Sequence, residues 1–289
     1  MQTPLHPDPV SGADRSQAPL IYIIIIALAS ITLIALNRLL RLGIPFTVHF
    51  LVGTVGALLV FVVWHAFLTK GWKRSLSLFG GSFLLAFTAE ALGVNFGLIF
   101  GRYYYTSFLG PGLFGVPFLA ALAWEPILYA AYSLTEIILP FDPSSRSFPA
   151  LLGAAGIGAL ATTAWDMMID PIAVHQGWWV WLEGGPYVKD IGNGVPISNF
   201  MGWLGVSFII MLLYQSVAGG ITKPFQSLDL IVRGPITLYA TLFLTASGVT
   251  LTILGRPEVA LIGLMAMGPF LALSWTYGRS AREGIKITA

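Results

Sequence analysis

Residues 46–68 read FTVHFLVGTVGALLVFVVWHAFL, a run with no Asp, Glu, Lys or Arg. At ~1.5 Å per residue a helix of this length covers the ~30 Å hydrocarbon core of a bilayer. The stretch therefore predicts a membrane-spanning helix, and similar runs recur on both sides of it. They cover about Leu20–Asn37 before it, and about Leu76–Ile99, Leu113–Leu139, Phe148–Ile169, Ile197–Gly219, Pro235–Leu254 and Glu258–Trp275 after it. The expected fold is all-α, a polytopic transmembrane helical bundle of about eight spans over residues 20–275. The last two runs are short and separated only by residues 254–257, so a helical hairpin or one broken span are both open there. Residues 1–19 read as a disordered polar tail and residues 276–289 as a short polar C-terminal tail. The first run lacks the charged leader of a secretory signal peptide and is too long for one.

Composition agrees. The 289 residues are 56% hydrophobic and 10% charged, against roughly 25% charged in soluble domains. A net charge of +2, with no basic run interleaved with aromatics, excludes a nucleic-acid partner. The absence of cysteine excludes disulfides, thiolate metal sites and thiol nucleophiles. With eight spans, the termini and even-numbered loops hold ten Lys and Arg and the other side five. The positive-inside bias then predicts a multi-pass protein of the cell membrane with both termini in the cytoplasm. The Arg38/Arg41 pair argues mildly the other way.

Ionisable residues inside a span are costly and usually face a partner or a cavity. Of the thirteen acids, four lie in or at the ends of central spans: Glu90, Glu125, Asp166 and Asp170. Counted from the same membrane face, Glu90 lies about 14 Å deep and Glu125 about 18 Å. Asp166 lies within a turn of that face, Asp170 at it, and Ser198 and Asn199 begin the next span there. The long connection 170–196, DPIAVHQGWWVWLEGGPYVKDIGNGVP, emerges on that side. It reads either as an aromatic belt at the headgroup level or as a lid over a site. Asp166 and Asp170 share a helix face with Thr162; Glu125, Tyr129 and Tyr132 share another. Gly93 and Gly97 give the helix after Glu90 a thin surface for close approach, and Pro126 removes a backbone donor beside Glu125.

Each residue has a plainer reading. Glu90 and Glu125 could be buried structural acids bonded to Tyr, Trp or Arg102. Asp170, before Pro171, could only end a helix. Arg102 could be a snorkelling interfacial arginine, and Asn199 a helix-start cap. The four histidines form no HxxxH or HxxH pair, which argues against a di-iron hydroxylase or desaturase. No dinucleotide fingerprint or P-loop occurs. The chain is expected to need no metal and no cofactor, leaving acid–base chemistry or transport.

The segments AEALGVNFGLIFGRYYYTSFLGP (89–111), VPFLAALAWEPILY (116–129), TAWDMMIDPIAV (163–174) and GNGVPISNFMGWL (192–204) resemble the carotenoid biosynthesis membrane proteins of the CruF type, the carotenoid 1,2-hydratases. The resemblance covers roughly residues 75–215. It implies addition of water to the terminal 1,2 double bond of an acyclic ψ-end, as in lycopene, γ-carotene or bisanhydrobacterioruberin. The substrate would come from the lipid phase, with membrane lipid and other carotenoid-pathway enzymes as the remaining expected partners. Protonation at the less substituted carbon gives a tertiary carbocation, which water captures. A carboxyl in apolar surroundings can hold a proton near neutrality. On this reading Glu90 or Glu125 gives the proton, and Asp166 and Asp170 hold the water. Tyr103, Tyr105, Trp124, Tyr129, Trp165 and Trp203 form the aromatic lining, and Arg102 and Asn199 join the substrate-binding group. The rival readings are a cyclase, which starts with the same protonation; a prenyltransferase-like enzyme using Asp166 and Asp170 for Mg²⁺; and a proton-coupled transporter.

Overall fold

The structure is a computed structural model, and it describes residues 46–139, 147–183, 185–188, 194–218 and 228–287. The expected tail over 1–19 and the expected first span over Leu20–Asn37 lie outside the described residues. Among these residues the chain is mostly helical: α1 (Phe46–Lys70), α2 (Trp72–Phe96), α3 (Phe118–Ile138), α4 (Phe148–His175), α5 (Ile197–Ala218), α6 (Leu228–Val249) and α7 (Pro257–Ile287). Five stretches of these helices are long and apolar enough to cross a membrane: Leu51–Lys70, Trp72–Phe96, Phe148–His175, Ile197–Val217 and Pro257–Gly278.

α3 is not among the five. It carries Glu125 and Glu136, and every residue from Trp124 to Thr135 is buried. A helix buried on all sides lies at the centre of its bundle, and α3 packs against α1, α2, α4, α6 and α7. The α6–α7 pair is a helical hairpin, joined by a π-helical turn at Thr250–Leu254 that Gly255 closes with φ 63°. α7 continues through residues 276–287, where a polar tail was expected.

Helix ends explain the other departures. α2 stops at Phe96 rather than Ile99 because Gly97 adopts φ 69° and closes the helix. Its N–H donates to Gly93 O at 2.8 Å, and Leu98 N–H to Leu92 O at 3.4 Å, the paired bonds of a glycine C-cap. α3 starts at Phe118 rather than Leu113 because residues 112–117 form a hairpin of β2 (Gly112–Leu113) with β3 (Val116–Pro117). Its two turn residues, Phe114 and Gly115, have φ 52° and 78°, the left-handed values a two-residue hairpin turn requires. α4 runs past Pro171 to His175, so Asp170 does not end the helix.

Among its described residues the long connection forms β-ribbons. Its strand β4 (Trp179–Glu183) pairs antiparallel with β1 (Arg102–Tyr105), from Arg102 opposite Glu183 to Tyr105 opposite Trp179. A second ribbon joins β5 (Tyr187–Val188) to β6 (Val195–Pro196). All three ribbons belong to the α2–α3 and α4–α5 connections and so cap the same end of the bundle. The other end is fixed differently, by an ion pair between Lys70 and Glu136 at 2.5 Å.

Candidate active site

The site begins with the period of β1. Alternate residues of a strand face the same way, so Tyr103 and Tyr105 turn together toward α2. There both hydroxyls donate to Glu90 Oε2, that of Tyr105 at 2.8 Å. Trp124 Nε1 on α3 donates to Glu90 Oε1 at 2.9 Å. Burial, and the Glu90 carboxylate beside them, push both tyrosine hydroxyls well above the ordinary range. They therefore stay protonated and act as donors across the pH range of a living cell. Glycine makes this approach possible. A Cβ on Gly93, one turn after Glu90, would stand 2.8 Å from Tyr103 Cε1 and 3.0 Å from Phe100 Cδ2. Both rings are buried and have little room to yield. Gly93→Val is therefore expected to cost about 2 kcal/mol through overpacking and to lift Tyr103 off Glu90. A lowered Tm of the detergent-solubilised protein, against an unchanged Tm for a substitution at the open Gly80, checks this.

Opposite Glu90, α4 presents Asp166 and Asp170 on successive turns, with Thr162 on the same buried face. Asn199, in the first turn of α5, donates through Nδ2 to Asp166 Oδ2 at 3.1 Å and to Asp170 Oδ2. Asn199 thus clamps the acids rather than capping its helix. Asp166 Oδ1 is buried with no partner among the described residues.

Between these two polar groups the wall is aromatic. Trp203 on α5 stacks face to face on Trp124, with centroids 3.6 Å apart and planes at 4°. Trp165 on α4 meets Trp203 edge-on at 6.2 Å. The remaining wall comes from aliphatic residues of α1 and α6, including Leu58 and Leu242, and from Trp178, Trp179 and Trp181 of the ribbon cap. Together with Glu90, Asp170 and Asn199 they line a cavity of about 520 Å³, within the size range of small-molecule sites. Gly202 keeps the packing tight behind it, since a Cβ there would run into the Phe100 ring. Phe100 O accepts from Trp181 Nε1 at 3.2 Å and Ser198 Oγ at 3.1 Å. The four sequence segments that carry the family resemblance thus meet around one space. A family model described as carotenoid biosynthesis protein matches residues 46–269. The chain belongs to that family. No curated protein and no solved structure matches the chain.

Of the twelve sequence-predicted site residues, the structure brings together Glu90, Tyr103, Tyr105, Trp124, Trp165, Asp170, Asn199 and Trp203 around the cavity. Asp166 joins them from behind through Asn199. Three stand apart. Glu125 turns toward α2, where Oε2 accepts from Ser82 Oγ at 2.6 Å, and it is not part of the cavity wall. Tyr129 follows Glu125 on the same face and bonds His65 Nδ1 at 2.5 Å. Arg102 is exposed at the ribbon edge. Position along a span carries no azimuth, and around α3 the first two point away from the cavity. Sequence reasoning missed the buried His65, whose partner lies on another helix. It also missed Gln176 and the wall role of Trp178, Trp179 and Trp181; the run of tryptophans was the available signal.

Proposed function

We propose that this chain is a multi-pass membrane carotenoid hydratase, adding water to the terminal 1,2 double bond of an acyclic ψ-end that enters from the lipid phase. The observation that carries the reading is the pairing of Glu90 and Asp170 across one cavity whose other walls are aromatic and aliphatic. A hydrocarbon end group fits such walls, and two separate carboxyls are what hydration needs. An eight-span arrangement with cytoplasmic termini in the cell membrane belongs to the same proposal.

The surroundings of each carboxyl suggest its role. Asp166 and Asp170 converge on one amide, and a single proton held between them removes the repulsion of two adjacent charges. We assign the proton donor to this pair. The proton adds to C2 of the ψ-end, and the alkene electrons form the new C–H bond, leaving the tertiary cation at C1. The faces of Trp124, Trp165 and Trp203 stabilise that cation by about 1–2 kcal/mol each when desolvated. Glu90, held by three donors but with a lone pair free on Oε1, takes the proton of the attacking water. These roles differ from the depth-based expectation, in which Glu90 or Glu125 donated the proton.

Expression in a lycopene-accumulating bacterial strain, with chromatography and mass spectrometry of the pigments, tests the reading. A gain of one water per modified end is expected. A change of retention without a change of mass would indicate cyclisation instead, and unchanged pigments with the protein in the membrane would reject the activity. Glu125→Gln serves as the internal control. Facing Ser82 rather than the cavity, it is expected to escape the about 10²–10⁴-fold loss that removing a proton-handling group causes.

A further inference from the structure

Two indole N–H groups of the cavity wall lack an acceptor among the described residues. Trp178 Nε1 and Trp179 Nε1 are both buried, and both residues line the cavity. Their neighbours in the wall are satisfied: Trp181 donates to Phe100 O and Trp124 to Glu90. An indole nitrogen only donates, and buried donors in folded proteins are nearly always paired. A hydrocarbon end group offers no acceptor. Nor are the rings loose. Trp178 stacks on Phe108 at 5.9 Å and 13°, while its backbone N–H donates to Ala173 O at 2.9 Å and its carbonyl accepts from Thr106 N–H at 3.0 Å. Trp179 is fixed in register opposite Tyr105 and stands edge-on to that ring at 5.7 Å. The Tyr105 hydroxyl in turn donates to Glu90 at 2.8 Å. Trp179 thus stands beside the tyrosine that reaches Glu90, and Trp178 meets Trp179 edge-on at 6.1 Å.

We propose that Trp178 and Trp179 form an oxygen subsite, holding first the water that is added and then the tertiary alcohol it becomes. The proposal rests on the hydratase reading. Before reaction, the water accepts from one indole and donates to Glu90, which leaves a lone pair directed at C1. That pair forms the C–O bond, and the oxonium proton passes to the Glu90 carboxylate. The alcohol oxygen then has two lone pairs and accepts from both indoles. A proton returning from Glu90 to the aspartate pair resets the site, so none is consumed beyond those of the added water.

Trp178→Phe, Trp179→Phe and the double variant keep an aromatic ring and remove the N–H. Purified protein is assayed in D₂O with lycopene, following both alcohol formed and deuterium incorporated into unhydrated end groups. If the indoles hold water, the cation still forms but returns its proton more often. The ratio of alcohol to deuterated carotene is then expected to fall about five- to tenfold, the effect of one lost neutral hydrogen bond. An unchanged ratio, or a parallel fall of both products from lost packing, overturns the proposal. A second measurement, quenching of tryptophan fluorescence, compares binding of a 1-hydroxy carotenoid with that of its parent hydrocarbon. Preference for the alcohol, lost in the double variant, is expected; equal affinities overturn the subsite. If the wild type makes no alcohol, the hydratase reading fails, and the binding comparison alone decides the subsite.

Discussion

Asp170→Asn is expected to abolish both hydration of the ψ-end and deuterium exchange into it. The variant changes one atom in kind and little in shape. Its amide oxygen can still accept from Asn199 Nδ2, the bond Asp170 makes in the native chain, so the α4–α5 contact survives. On the proposed mechanism, what disappears is the proton held between Asp166 and Asp170. With no proton delivered to C2 there is no cation, hence neither alcohol nor exchange. General acid catalysis is worth about 10²–10⁴-fold, and alcohol is expected to fall by that factor at equal protein level in the membrane. Pigment chromatography, with an immunoblot for the amount of protein, measures it. Retention of full activity would remove Asp170 from the mechanism.

Glu90→Gln is expected to lose alcohol to a similar extent, about 10²–10⁴-fold, yet keep deuterium exchange. The glutamine oxygen can accept from Trp124 Nε1, and its amide can donate to the hydroxyls of Tyr103 and Tyr105, which accept as readily as they donate. The network around it (Trp124 at 2.9 Å, Tyr105 at 2.8 Å) is therefore preserved in outline. A carboxamide cannot take the oxonium proton. The cation still forms from the aspartate pair and returns its proton there, so an end group in D₂O acquires deuterium without gaining oxygen. The two variants thus separate the roles of the two carboxyls by product rather than by rate. If Glu90→Gln silenced exchange and Asp170→Asn retained it, the roles would be reversed.

Much of the site could be read from residue order. Carboxyls stand out in apolar runs because nothing else there is charged, and 1.5 Å per residue gives each a depth. On that basis Glu90, Glu125, Asp166 and Asp170 group together. Gly93 and Gly97 marked the thin face on which Tyr103 and the Arg102 backbone now rest. Depth says nothing of azimuth, however. On a surface helix the apolar stripe supplies it, but α3 is buried all round and has no stripe to read. Residue order thus could not show that Glu125 and Tyr129 turn away from the cavity. The β1–β4 ribbon was hidden for another reason. Four or five residues of alternation are a weak signal, and the partners are separated by both α3 and α4.

That separation bears on how the protein is made. Thr106 Oγ1 finds its acceptor, Gly177 O, 71 residues further along the chain, and the partner strand of β1 lies further still, with Tyr105 opposite Trp179 and Arg102 opposite Glu183. A chain emerging from the ribosome at about 5–20 residues per second therefore leaves Tyr103 and Tyr105 without their strand partner for several seconds. During that interval Glu90 has its helix but not a fixed set of donors. The cavity is consequently a late product of biogenesis. Its wall is complete only when the stretch after α4 has reached the same side of the membrane as β1, so a nascent chain halted before residue 179 would hold inserted helices and an unfinished site.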